Sequence, residues 1–244
     1  MKPFRTLLII VTLGLSMVAR SAEVPARSTA PASSACQQQL TPDFVLMHRL
    51  PSITGPGACG AEDVVSLEAV LLNGEHIAFA PPPTLRCPMA EAVARWVREE
   101  VAPAAAATFG SSVKMVITGT SYQCRGRDRD PAAKISEHGH ANALDLLGLK
   151  LANGTVVNFT DRATRFTDRA TRKDFRENIR QSACATFTTV LGPGSDSYHE
   201  NHIHLDLIER HGGYRVCQWD VRTVPEVPIA PRPRQRPRTS RQAN

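Results

Sequence analysis

The chain has 244 residues, 42% of them apolar and 21% charged, with 29 Lys and Arg against 23 Asp and Glu for a net charge of +6. This composition excludes fibrous and wholly disordered classes and suffices for one domain that buries roughly 70% of its unfolded surface. The charge is uneven: residues 1–21 carry +3 (Lys2, Arg5, Arg20), residues 222–244 carry +5 (six Arg, one Glu), and the stretch between carries −2. With a slightly acidic middle and only 5% aromatic residues for base stacking, nucleic acid is not an expected partner.

In chain order, Lys2 and Arg5 precede an apolar run from Leu7 to Val18 and the small residues Ala19 and Ser21. This is the layout of a signal peptide over residues 1–21, and the run is too short for a spanning helix of about 20 residues. No later segment is apolar enough to span a membrane, so the expected location is outside the cytoplasm, in the periplasm or cell envelope. Residues 22–35, AEVPARSTAPASSA, have the composition of a linker, and the domain is placed at 36–220. Its six cysteines, Cys36, Cys59, Cys87, Cys124, Cys184 and Cys217, read as a disulfide framework in an exported chain, with 15 pairings open. No C-x-x-C pair favours a cysteine zinc site.

Val64 to Val70 and Glu75 to Ala80 flank Asn73-Gly74 and predict a β-hairpin. From Pro88, the spacing of Ala92, Val93, Trp96, Val97 and Val101 predicts an amphipathic helix that Pro103 bends or ends. Val113 to Gly119 reads as a strand, and Asn142 to Leu151 and Thr155 to Phe159 as a second hairpin about Asn153-Gly154. Residues 160–173 repeat TDRATRF as TDRATRK, a local duplication too short for a solenoid. Thr171 and Asp174 have the spacing of a capping box that opens a second helix with Phe175, Ile179, Ala183 and Phe187 on one face. Strands at Thr188 to Leu191 and His202 to Ile208 complete an α+β single domain: a small antiparallel sheet with hairpins on two main helices, stapled by disulfides and monomeric. The Pro/Arg-rich tail at 221–244 is expected to be disordered.

Two clusters carry the chemistry: Ser136 to Asp145 and His199 to Asp206, which together hold five of the eight His. In the second, His202, His204 and Asp206 alternate with aliphatic residues, so a strand puts the polar trio on one face. In the first, His138 lies seven residues before Asp145 across a glycine. Two imidazoles and a carboxylate make a three-ligand zinc set with a position left for water, whose pKa zinc lowers towards ~7.

The blocks LRCPMAEAVARWV (85–97), SYQCR (121–125), SEH…NALD (136–145), TVLGP (189–193) and HIHLD (202–206) resemble the bacterial extensin-like C-terminal domain family. More distantly, S-x-H, the Asp seven residues after that His and the later H-x-H resemble the superfamily of lysostaphin-type enzymes, D-Ala-D-Ala metallopeptidases and the hedgehog signalling domain. The resemblance implies zinc held by His138, Asp145 and His204. His202 would assist proton removal from water, with Glu200 a second candidate base. Arg125, or failing it Arg127, would offer positive charge to the substrate, and His140 and His199 would be rim residues. One departure stands out: Ala141 occupies the place of a usual glycine three residues after the first His. The expected function is a secreted zinc-dependent hydrolase of amide bonds in peptidoglycan peptides, a D-Ala-D-Ala carboxypeptidase or endopeptidase. The alternative is a non-catalytic zinc-containing module that binds a cell-envelope polymer.

The Arg-rich tail suits attachment to anionic wall or envelope polymers. Deletion of residues 222–244 is expected to weaken salt-sensitive binding to isolated cell walls; unchanged binding in a sedimentation assay would refute that role.

Overall fold

A computed structural model describes residues 34–160 and 169–221. The expected signal peptide (1–21), the linker up to residue 33, residues 161–168 of the repeat and the tail from 222 lie outside the described residues. The domain opens one step before Cys36, with helix α1 (Ala35–Gln39), whose first turn is capped by Ser34 Oγ accepting from the Gln37 N–H at 3.0 Å.

Strand β1 (Val45–Arg49) and the short pair β2 (Ile53–Thr54) and β3 (Gly60–Ala61) lead to the first expected hairpin, β4 (Val64–Leu72) and β5 (Glu75–Ala80). Asn73 and Gly74, at φ of 52° and 78°, both take the left-handed conformation that a tight two-residue turn requires. After β6 (Thr84–Arg86), Cys87–Trp96 forms α2, a π-helical turn spans Val97–Val101, and α3 continues through Ala102–Phe109. Pro103 therefore does not end the helix. The π-turn just before it absorbs the disruption, and Pro103 sits in the first turn of α3, where a missing N–H costs least.

Strands β7 (Val113–Thr118), β8 (Ala143–Leu151) and β9 (Val156–Asn158) follow, then α4 (Arg169–Thr186), β10 (Thr189–Leu191), β11 (Ile203–Asp206) and β12 (Val216–Gln218). α4 already includes Arg169, so Thr171 lies inside the helix instead of capping it. The fold is α+β, as the sequence predicts, but the sheet is larger than expected and not wholly antiparallel. Ten strands join it in the order β1-β4-β5-β7-β8-β11-β10-β12, with β6 on β4 and β9 on β8, and the β5/β7 and β10/β12 pairings are parallel. The α2–α3 segment supplies the long crossover that parallel β5 and β7 need.

The helices pack on the sheet through one hydrophobic cluster that includes Leu67, Val93, Leu144, Leu146, Ile179, Ile203 and Leu205. Phe175, Ile179, Ala183 and Phe187 are all buried, as their spacing predicts. Trp96 fixes α2 against α4: its ring meets Phe187 edge-on at 5.6 Å, and its Nε1–H donates to Ser182 Oγ at 2.9 Å. Three disulfides, Cys36–Cys87, Cys59–Cys124 and Cys184–Cys217, select one of the 15 pairings and leave no free cysteine. They are consistent with an oxidising compartment, and no helix among the described residues is long and apolar enough to cross a membrane.

Ile179→Ala removes a fully buried side chain from the α4 face and is expected to cost about 2–5 kcal/mol. Denaturant unfolding reads this as a lower midpoint at unchanged slope.

Candidate metal centre

Alternation along two paired strands builds the floor of the site. In β8, Leu144 and Leu146 enter the core, which turns Asp145 to the face away from the helices; in β11, Ile203 and Leu205 do the same for His204 and Asp206. The antiparallel register places His204 directly opposite Asp145. His138 reaches the same point from a 3₁₀ turn, Glu137–His140, folded over that face.

Three inward atoms form a nearly equilateral triangle. His138 Nε2 to His204 Nδ1 is 3.1 Å, and Asp145 Oδ1 is 3.2 Å from each. Ligand atoms of a tetrahedral zinc, each ~2.0–2.1 Å from the ion, stand about 3.3 Å apart, so the spacing fits one face of such a set.

The outer ring nitrogens are also committed. His138 Nδ1–H donates to the Ser121 carbonyl at 2.7 Å, and His204 Nε2–H donates to Asp206 Oδ2 at 3.0 Å. These partners hold one nitrogen of each ring facing outward and leave His138 Nε2 and His204 Nδ1 facing the triangle, where a bound metal would take the place of any inward proton; outer bonds of this kind orient metal-ligating histidines. All three residues are buried. Cys36, Asp63 and Cys87 also cluster, but both sulfurs are consumed in a disulfide.

The electrostatics follow from burial among opposite charges. Burial alone would raise the Asp145 carboxyl, but hydrogen bonds and charge from His138 and His204 hold it far below the usual carboxylate range. Burial alone would lower His204, yet its bonds to Asp145 and Asp206 raise it to about 9. Asp206 is held low despite burial by the same His204 bond. His202 is pushed down, chiefly by burial.

Of the remaining candidates, His202 stands beside the triangle with Nε2 3.5 Å from Asp145 Oδ1, and its Nδ1–H donates to Asn201 Oδ1 at 2.8 Å. It lines an open cleft of about 430 Å³ together with Asp145, Arg125, Arg129 and Tyr198. Arg125, held by Gln123 Oε1 at 2.9 Å, also lines a second cleft of about 240 Å³ with His138, His204 and Arg127. Glu200 is not brought to the site: its Oε1 accepts the Gly194 N–H at 3.1 Å, and it lines neither cleft. His140 lines neither cleft, whereas His199 lies at the rim, 5.2 Å from the His202 ring and 5.6 Å from that of His204. Its Nδ1–H donates to Asp196 at 2.7 Å.

Sequence reasoning gave no role to Asp206, although H-x-H-x-D places it on the ligand face, nor to the Ser121 carbonyl, which no side-chain pattern marks. Ala141, at φ 49° and ψ 28°, adopts the left-handed conformation that favours glycine. The strain, on the order of 1 kcal/mol, is carried by a turn fixed through its own N–H to the His138 carbonyl at 3.1 Å and the Arg86 N–H to its carbonyl at 2.8 Å.

A disulfide-linked α+β domain with a buried His₂Asp triangle opening on a cleft defines a candidate metalloprotein. The chain matches the family described as extensin-like protein C-terminus over residues 34–218, and it belongs to that family. No curated protein and no solved structure matches the chain.

In chelator-treated protein, Asp145, lowered in the folded state, contributes stability above its ordinary value of 3.8 that is lost as pH falls further. His204, raised, contributes fully below 6.5, and its share is lost as pH rises towards about 9. The melting temperature of the parent relative to Asp145→Asn is therefore expected to be greatest between those values and to shrink by pH 9. A difference that grows from pH 6.5 to 9 would contradict the assignment.

Proposed function

We propose that the protein is a secreted zinc-dependent hydrolase that cleaves amide bonds in cell-wall peptides. The observation that carries this reading is the triangle of His138 Nε2, Asp145 Oδ1 and His204 Nδ1, with both rings oriented from outside by Ser121 and Asp206. The donor set suits zinc in an open site more than calcium or magnesium, which prefer all-oxygen shells. A zinc ion held by these three residues would supply a Lewis acid that polarises a carbonyl and makes water acidic enough to act near neutral pH.

The chain's own residues would do the rest. Arg125 at the junction of the two clefts would orient the scissile carbonyl and offset negative charge on its oxygen. His202 Nε2 would take a proton from the attacking water and return it to the leaving amine as the C–N bond breaks. Glu200, turned to Gly194, takes no part in this scheme. The three disulfides and the apolar N-terminal run support export. The likeness of the H-x-H and S-x-H blocks to wall metallopeptidases supports peptidoglycan as substrate.

The test pairs metal analysis of purified protein with a muropeptide digest. About one zinc per chain is expected, with released fragments lost in His138→Ala and reduced roughly 10²-fold or more in Arg125→Ala. Protein that takes up no zinc, or His138→Ala that digests as fast as the parent, would overturn the proposal. Stoichiometric zinc and wall retention without fragments would assign the non-catalytic wall-binding module instead.

A further inference from the structure

The loop after β7 works for His138 from several points at once. The Ser121 carbonyl fixes the imidazole, the Gln123 N–H donates to the His138 carbonyl at 3.1 Å, and the Arg125 carbonyl accepts from the Ser136 N–H at 3.0 Å. The same loop contributes the Thr120 carbonyl to the Asp145 N–H at 2.8 Å. It has little regular structure of its own, so something else must hold it in place.

Cys124 lies in the middle of that loop and is bonded to Cys59, in the turn between β2 and β3. Cys59 is buried, and its Sγ lies behind the residue that follows His138: a Cβ built on Gly139 would fall 3.1 Å from it. A Cβ there would also fall 2.6 Å from Ile135 Cγ2, so the turn packs closely on both Ile135 and the sulfur. The bridge thus ties the loop that hydrogen-bonds His138, at Cys124, to the sulfur against which the Gly139 turn packs, at Cys59. The Cys184–Cys217 bridge joins α4 to β12, which β10 separates from the strand that carries His204.

We propose that the Cys59–Cys124 disulfide is a positioning element of the metal centre: it clamps the Ser121–Arg125 loop and the Gly139 turn so that His138 Nε2 is held at ligand distance. The inference rests on the metal reading above. Removing either bridge opens a chain loop, of 65 residues for Cys59–Cys124 and 33 for Cys184–Cys217. Loop-closure entropy varies only slowly with length, so the two losses should lower global stability to a similar extent. Only the first should disturb the ligands.

The experiment titrates cobalt(II) into full-length parent, Cys59→Ser/Cys124→Ser and Cys184→Ser/Cys217→Ser, each well below its melting temperature. The expected result is cobalt affinity ~10–100-fold weaker in the first variant, as for lost ligand support, and within about threefold of the parent in the second. Parent-like affinity in the first variant, or equal losses in both, would overturn the inference. Should the first variant not accumulate folded, Cys59→Ala/Cys124→Ala removes the same bridge without placing a hydroxyl at the buried Cys59 position. It is expected to weaken cobalt binding, and parent-like binding would again overturn the clamp. A parent that binds no cobalt would instead sink the metal reading itself, and the inference with it.

Discussion

The pairing of β11 against β8 fixes the chemistry of this domain. With His204 opposite Asp145, two strands buried on one face present an imidazole and a carboxylate at contact distance on the other. A slip of one residue would turn Ile203 and Leu205 into the cleft and drive His204 and Asp206 into the core. Leu144, Leu146, Ile203 and Leu205, all fully buried, make that slip costly, so the hydrophobic core holds the register that the site requires. The site in this sense rests on leucine and isoleucine as much as on histidine.

The loops above the floor tolerate strain that the sheet does not. Ala141, Asp128 and Arg129 all have positive φ without being glycine, and all lie in the segments that frame His138 or the cleft. Backbone of this kind persists where the surroundings over-determine it. Around Ala141 they do, through the hydrogen bonds of the Glu137–His140 turn and the Arg86 N–H. Ala141 is thus accommodated with His138 Nε2 and Asp145 Oδ1 still 3.2 Å apart.

Much of this was legible in the sequence because it is periodic. The β4–β5 hairpin followed from alternation and Asn-Gly and the α4 face from Phe175, Ile179 and Ala183, whereas the grouping of His138 and Asp145 with His204 came from the family resemblance, alternation giving only the shared face of His204 and Asp206. What was hidden depends on partners far along the chain. Alternation does not say which strand lies alongside, so the parallel pairing of β5 with β7 could not be read. Six cysteines do not encode their pairing, and the Ser121 carbonyl that orients His138 belongs to the backbone. Glu200, adjacent in sequence to His199, was drawn elsewhere by a bare Gly194 N–H in a neighbouring turn. Sequence proximity gave the right neighbourhood and the wrong direction.

The ends of the sheet have a consequence of their own. β1 breaks register between Leu46 and Met47, and β12 at the opposite end is only three residues long. An extra residue twists an edge away from flatness, and a very short strand offers few free backbone groups. Both features make the margins of this broad sheet poor templates for the addition of another strand.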